Sequence, residues 1–96
     1  MRTFEGRTAL VTGGSRGIGL GIAKSLVDRG ARVVLTARKP DALAEAVAEL
    51  GGPEVAVAVP GNAGDPAHRA EAVRTAVETF GSLDVLVGNV GINPAY

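Results

Sequence analysis

Short runs of apolar residues alternate along the chain with longer segments in which apolar residues recur every three or four positions. The short runs are nearly continuous and rich in β-branched residues, which predicts strands covered on both faces of a parallel sheet. They span residues 8–12, 32–36, 55–59 and 83–87. The longer segments have the helical period. The predicted order of elements is therefore β-α-β-α-β-α-β.

Each of the three predicted helices has an apolar row. The rows are Ile18, Ile22 and Leu26 in the first helix, Leu43, Val47 and Leu50 in the second, and Ala70, Val73, Val77 and Phe80 in the third. Gly30 ends the first helix as a C-cap. Asp65 is the predicted N-cap of the third helix and Pro66 its first helical residue. His68, the sequence's single histidine, lies in the first turn of this helix and is predicted to be solvated.

Right-handed crossovers between parallel strands make a doubly wound α/β sheet the predicted fold, with strand order 3-2-1-4. No linker or low-complexity segment interrupts the pattern, so residues 1–96 are assigned to one domain. In such sheets a ligand binds beyond the carboxyl ends of the strands, where the strand order reverses. The ends of the predicted strands are therefore the places to look for chemistry.

Composition narrows the possible functions. The chain has no cysteine, which excludes disulfides and thiol chemistry. It has no run near the ~20 apolar residues of a membrane span and no signal peptide, so a soluble, cytoplasmic protein without a membrane partner is expected. Residues 1–40 carry eight basic and two acidic side chains (+6), and residues 41–96 carry two basic and eight acidic (−6). With no net positive charge and few aromatic residues, nucleic-acid binding is not expected.

The stretch TGGSRGIG, residues 12–19, joins the first strand to the first helix. Its backbone N–H groups and the helix dipole would converge on an anion, and pyrophosphate is the natural guest. A P-loop is excluded because Ala23, and not a glycine, precedes Lys24 and Ser25. A GxGxxG fingerprint starting at Gly17 is excluded because its third glycine would fall on Ile22.

The spacing that fits is GxxxGxG, formed by Gly13, Gly17 and Gly19 after a threonine. This stretch resembles the TGxxxGxG cofactor motif of the short-chain dehydrogenase/reductase family. Gly13 would permit the tight turn, Gly17 the close approach of pyrophosphate, and Gly19 the packing of helix on sheet. The resemblance implies a Rossmann-type fold and a nicotinamide dinucleotide bound by Gly13, Ser15, Arg16, Gly17, Ile18 and Gly19.

The end of the second strand, VVLTARKP, bears on which cofactor is bound. A site for NAD normally places an acidic residue here, whose carboxylate binds the ribose hydroxyls. Ala37 occupies that position, and Arg38 and Lys39 follow it. Together with Arg16 they form a basic pocket suited to a 2′-phosphate. The predicted cofactor is NADP(H).

Two further stretches match the family in part. After the third strand, Asn62 stands where the family often has an aspartate that contacts the adenine amino group, and Ala63 follows it. After the fourth strand, GNVG, residues 88–91, is similar to the family's NNAG. The resemblance implies that Asn89 braces the central strands, and that Val90 and Gly91 face the ribose and the approach to the nicotinamide.

The family reduces carbonyls or oxidises alcohols with a serine and a Tyr-x-x-x-Lys motif. Tyr96 is the last residue, so the motif cannot be placed, and no catalytic or metal-binding residue is predicted. The fourth strand would also leave an apolar sheet edge without a neighbour. We therefore expect this NADP-binding domain to be incomplete, with a catalytic half after residue 96.

The stretches FEGRTALVTGGSRGIG and VGNVGINP look most like 3-oxoacyl-[acyl-carrier-protein] reductases of fatty-acid synthesis. The resemblance implies a small-molecule or acyl-carrier-bound carbonyl substrate and, for an intact protein, a homotetramer. The alternative is a nucleotide-binding or interaction module without turnover. A downstream Tyr-x-x-x-Lys motif would separate the two functions.

Overall fold

The computed structural model describes residues 4–13, 17–62 and 64–88. Seven elements follow one another: β1 (Thr8–Thr12), α1 (Gly17–Asp28), β2 (Arg32–Ala37), α2 (Pro40–Leu50), β3 (Ala56–Pro60), α3 (Pro66–Phe80) and β4 (Val85–Gly88). The strands form one parallel sheet in the order β3-β2-β1-β4. The predicted fold class and strand order are thereby confirmed.

The register aligns the carboxyl ends of all four strands. Thr12 at the end of β1 lies opposite Thr36 in β2 and Gly88 in β4. Ala37, the last residue of β2, lies opposite Pro60, the last residue of β3. The loops that follow the strands therefore leave the sheet along one edge, which we call the carboxyl edge.

Helices cover both faces of the sheet. On one face, α1 and α2 pack on the sheet and share with it a cluster of buried residues that includes Val11, Leu35 and Leu43. On the other face, α3 packs against a smaller cluster that includes Leu10 and Val34. Since successive strand residues point to opposite faces, both helix layers need apolar partners from β1 and β2. The uninterrupted apolar runs in these strands follow from that arrangement.

The buried face of α1 differs from the predicted row. Its buried residues are Gly19, Ala23 and Leu26. Leu26 was predicted on this face, but Ile18 is 73% exposed. The prediction was wrong for Ile18 because small residues, which let the helix lie close to the sheet, define the contact face of the first turn.

The predicted face of α3 was wrong for Ala70, Val73 and Val77, whereas Phe80 packs against the buried cluster as predicted. The buried row is His68, Ala72 and Ala76, whereas Val73 and Val77 are 40% and 47% exposed. The two alanines let α3 approach the sheet closely, which turns the neighbouring valines outward. The same rotation buries His68, at 7% exposure, so the prediction that it is solvated was wrong.

The beginning of α3 agrees with the sequence. Asp65 has an extended backbone conformation, and its side chain accepts a hydrogen bond from the Ala67 N–H at 2.9 Å. Pro66 is the first helical residue. Proline suits this position because its missing N–H would have no partner within the helix. The predicted N-cap and helix start are confirmed.

Apolar side chains remain exposed on the α3 side of the sheet. Leu86 in β4 is 70% exposed, and it pairs with Leu10, which packs under α3. Paired residues of parallel strands share a face, so Leu86 and the outward valines of α3 lie on the same side. Among the helices of the described ranges, none is long and apolar enough to cross a membrane.

A carboxylate fastens the amino end of β4 to β1. The Asp84 Oδ2 atom accepts hydrogen bonds from the Thr8 N–H and the Ser82 hydroxyl, both at 2.9 Å. The Asp84 N–H donates to the Thr8 carbonyl at 2.8 Å. The Thr8 and Ser82 hydrogen bonds, helped by the positive charge of Arg7, lower the pKa of Asp84 below its ordinary value. The ionised carboxylate is therefore the form that the native structure favours.

Candidate functional site

The carboxyl edge begins with the turn after β1. Gly13 has φ 69°, a left-handed conformation that residues with a Cβ rarely adopt. Its N–H donates a 2.7 Å hydrogen bond to the Thr36 carbonyl. This bond continues the β1–β2 pairing by one position before the chain turns away. The loop that follows therefore starts between the ends of β1 and β2.

The first turn of α1 lies at the same edge. Gly17 begins the helix with φ 65°, and among the described residues no atom beyond its own stretch of helix lies within 4 Å of the position that a Cβ would occupy. The first N–H groups of a helix have no intrahelical partner, and they carry the positive end of its dipole. No acidic residue lies in this turn. The helix start is thus open to a close approach and suited to an anion.

Gly19 lies one residue further into the helix and is buried. It lies on the side of α1 that packs on β1 and β2. Ile18 is 73% exposed at this end of the helix. The two neighbours therefore face in different directions, one toward the sheet and the other toward solvent.

The end of β2 brings basic groups to the edge. Ala37 is half-buried, and Arg38 and Lys39, which follow it, are exposed. Lys39 is the N-cap residue of α2, but its side chain makes no capping bond. The Thr36 hydroxyl is buried without a hydrogen-bond partner in the described residues. Two exposed cationic side chains thus lie beside a position with no carboxylate, at the end of a central strand.

The turn after β3 completes the edge. The Gly61 N–H donates to the Ala37 carbonyl at 2.8 Å, which holds this turn beside the end of β2. Asn62 is exposed, and its Oδ1 atom accepts a hydrogen bond from the Gly64 N–H at 2.8 Å. A carbonyl oxygen has two lone pairs, so Oδ1 keeps one acceptor site for a further partner.

The structure brings together those predicted site residues that it describes. Gly13, Gly17, Ile18, Gly19, Arg38 and Asn62 all follow the carboxyl ends of β1, β2 and β3. The other predicted residues lie outside the described ranges. These are Ser15, Arg16, Ala63, Asn89, Val90 and Gly91. Within the described ranges, no group of three His, Asp or Glu side chains could hold a metal ion.

Sequence reasoning missed one residue at this edge. His68 contacts the turn that carries Asn62, with its Nδ1 atom 3.1 Å from the Asn62 carbonyl oxygen. The available signal was the spacing of His68, Ala72 and Ala76, which recur every fourth position. The same helix also has a row of valines. Because valine is larger and more apolar than alanine, the valine row was predicted to be the buried one.

A doubly wound parallel sheet with a glycine turn after its first strand defines the class of Rossmann-type nucleotide-binding folds. The family model of the short chain dehydrogenases matches residues 7–96. The chain belongs to this family.

Two oxidoreductases are among the relatives to which this chain is similar. An NADP-dependent (R)-specific alcohol dehydrogenase of Lentilactobacillus kefiri is 41% identical over 89 residues, which cover 93% of this chain and 35% of the relative. A 3-oxoacyl-[acyl-carrier-protein] reductase of Salmonella typhimurium is 41% identical over 90 residues, which cover 94% of this chain and 36% of the relative. The chain thus spans little more than a third of the length of these relatives.

A solved structure has the same fold. L-Sorbose reductase from Gluconobacter frateurii, complexed with NADPH and L-sorbose, superposes with a TM-score of 0.85 and is 34% identical. The match covers 95% of this chain and 35% of the reductase. The Rossmann-type sheet of this chain is therefore similar to the corresponding third of a crystallised reductase.

Proposed function

We propose that this chain is the NADP(H)-binding part of an oxidoreductase that interconverts a carbonyl and an alcohol. The observation that carries the proposal is the meeting of three features at one sheet edge: the open start of α1, the exposed Arg38, and the absence of an acid at Ala37. The first suits a pyrophosphate, and the other two suit a 2′-phosphate.

The described residues fit this cofactor. At Gly17 no other part of the described chain comes within 4 Å of where a Cβ would be, so a pyrophosphate could lie against the backbone. Arg38 presents a fork of N–H donors that matches the oxygens of a phosphate. Lys39, beside it, adds a second positive charge. The names of two matched proteins, one NADP-dependent and one complexed with NADPH, support the same cofactor.

NADPH, when bound, supplies the hydride for carbonyl reduction. The residues of this chain would bind and orient it: the start of α1 holds the pyrophosphate, Arg38 the 2′-phosphate, and Asn62 the adenine. None of these residues donates a proton to substrate. The substrate class that we propose is a carbonyl compound. A 3-oxoacyl thioester is one member of that class, supported by the Salmonella relative.

Cofactor titrations of the intact protein test the proposal. We expect NADPH to bind more tightly than NADH, because a charge-assisted phosphate contact contributes about 1.5–3 kcal/mol, or about 10- to 150-fold in affinity. The double variant Ala37→Asp/Arg38→Leu should prefer NADH, since the carboxylate accepts from ribose hydroxyls and repels a 2′-phosphate.

Arg29→Leu is the matched control. Arg29 follows the last residue of α1, at the opposite edge of the sheet. The variant loses the same charge, but we expect it to keep the preference for NADPH. A double variant that still preferred NADPH, or an Arg29→Leu variant that lost the preference equally, would contradict the assigned phosphate site.

A further inference from the structure

His68 is buried at the carboxyl edge without a role in the function proposed above. Its ring lies in the first turn of α3, between the end of β3 and the turn that follows it. The Nε2 atom is 3.0 Å from the Val59 carbonyl oxygen, and the Nδ1 atom is 3.1 Å from the Asn62 carbonyl oxygen. The ring therefore connects α3 both to β3 and to the turn that follows it.

Both partners of the ring are carbonyl oxygens, which only accept hydrogen bonds. The tautomer decides which contact is a hydrogen bond: a hydrogen on Nδ1 donates to Asn62, and a hydrogen on Nε2 donates to Val59. The two contacts have different consequences. The bond to Val59 fixes α3 to a strand, whereas the bond to Asn62 fixes the main chain of the turn itself.

Gly61 leaves room for the His68 ring because it has no Cβ. A Cβ at this residue would lie 2.7 Å from Nε2 and 2.8 Å from Cγ of His68, well inside van der Waals contact. The ring has little room to move away from such a Cβ, because it is buried and contacts two carbonyl groups. The Gly61 N–H is bonded to the Ala37 carbonyl, so the backbone cannot easily yield either. Gly61 and His68 therefore form a matched pair.

The orientation of Asn62 depends on this pair. Its main-chain oxygen accepts from the Asp65 N–H at 2.9 Å and faces the His68 ring from the other side. Its side chain accepts from the Gly64 N–H and is exposed at the edge. A main chain held at the carbonyl leaves few directions for the side-chain amide.

We propose that His68 is a positioning residue, whose Nδ1–H bond to the Asn62 carbonyl sets the turn after β3 so that the Asn62 side chain recognises adenine. The remaining lone pair of Oδ1 accepts from the 6-amino group of the base. This inference rests on the proposed binding of NADP(H). It adds base discrimination by a residue that does not touch the cofactor.

Deamino-NADPH isolates this effect, because hypoxanthine carries an oxygen in place of the 6-amino group. We expect the intact protein to bind NADPH about 5- to 10-fold more tightly than deamino-NADPH, the ratio typical of one neutral hydrogen bond. His68→Ala should bring the ratio close to one. Gly61→Ala should do the same by displacing the ring.

Two isosteric variants separate positioning from general support of the fold. The amide of asparagine can replace Nδ1, and the amide of glutamine can replace Nε2. His68→Asn should therefore keep most of the discrimination between the two cofactors, and His68→Gln should lose it. Arg74→Ala, at an exposed position of the same helix, is the control that should keep the wild-type ratio. Thermal unfolding of each variant reports whether the fold is retained.

The outcomes are distinguishable. Failure of the wild-type chain to bind either cofactor overturns the proposed function and this inference with it. Binding of NADPH with no discrimination against deamino-NADPH overturns the inference alone. So does an unchanged ratio in His68→Ala, or a ratio in His68→Gln at least as high as in His68→Asn.

Discussion

Replacing Leu35 by alanine tests whether the central strand β2 is the core of the fold. Leu35 is fully buried, at 0% exposure, in the cluster covered by α1 and α2. Its strand lies between β1 and β3, so the backbone has little freedom to close a cavity. The three carbon groups removed contribute about 2.4 kcal/mol at ~0.8 kcal/mol each. The remaining cavity raises the expected loss to about 3–4 kcal/mol.

This loss is large compared with the total free energy of unfolding. A domain of this length has a free energy of unfolding of about 5–14 kcal/mol. Urea unfolding followed by circular dichroism measures it, and for a slope of about 1–1.5 kcal/mol per M the midpoint should fall by about 2–4 M. An unchanged slope would show that the loss comes from stability and not from altered compactness.

Leu86→Ala is the matched control, since the same atoms leave a side chain that is 70% exposed. Scaling the burial contribution of about 2.4 kcal/mol to the 30% of the Leu86 side chain that is buried gives a loss of about 0.7 kcal/mol. If Leu86→Ala were as destabilising as Leu35→Ala, the assignment of the core to the central strands would be refuted.

Two further predictions concern stability. The lowered pKa of Asp84 means that its carboxylate stabilises the fold above its ordinary pKa and that this contribution disappears as the pH falls through the native value. Asp84→Asn, which keeps the shape but not the charge facing Thr8 and Ser82, should flatten the acid limb of a plot of urea midpoint against pH; an unaltered limb would refute the role of this carboxylate. Alanine at two unobstructed glycines should have opposite effects. Gly81→Ala should destabilise by about 1 kcal/mol because the C-cap of α3 has φ 92°, whereas Gly21→Ala inside α1 should stabilise by about 0.5–1 kcal/mol; thermal melts that shift in the same direction for both would contradict this reasoning.

Much of the candidate site follows from local sequence. The spacing of Gly13, Gly17 and Gly19 after an apolar run identified the turn, because only the chain immediately around it sets its conformation. The position of Ala37, Arg38 and Asn62 at strand ends was predictable for the same reason. That these residues meet at one edge follows from the parallel register. The amino acids that bind the base and phosphate remain predictions from resemblance.

The sequence by itself determined the alternation of strands and helices and the strand order, because apolar runs covered on both faces admit few parallel arrangements. Only the tertiary structure decided which side of α3 faces the sheet. The helix carries two apolar rows, and the one with Ala72 and Ala76 is buried because close packing favours small side chains at the contact. That choice exposes Val73 and Val77 and buries His68 against the turn of Asn62. Such a contact depends on how a helix rotates against a sheet, and two competing rows in the sequence of α3 leave that rotation open.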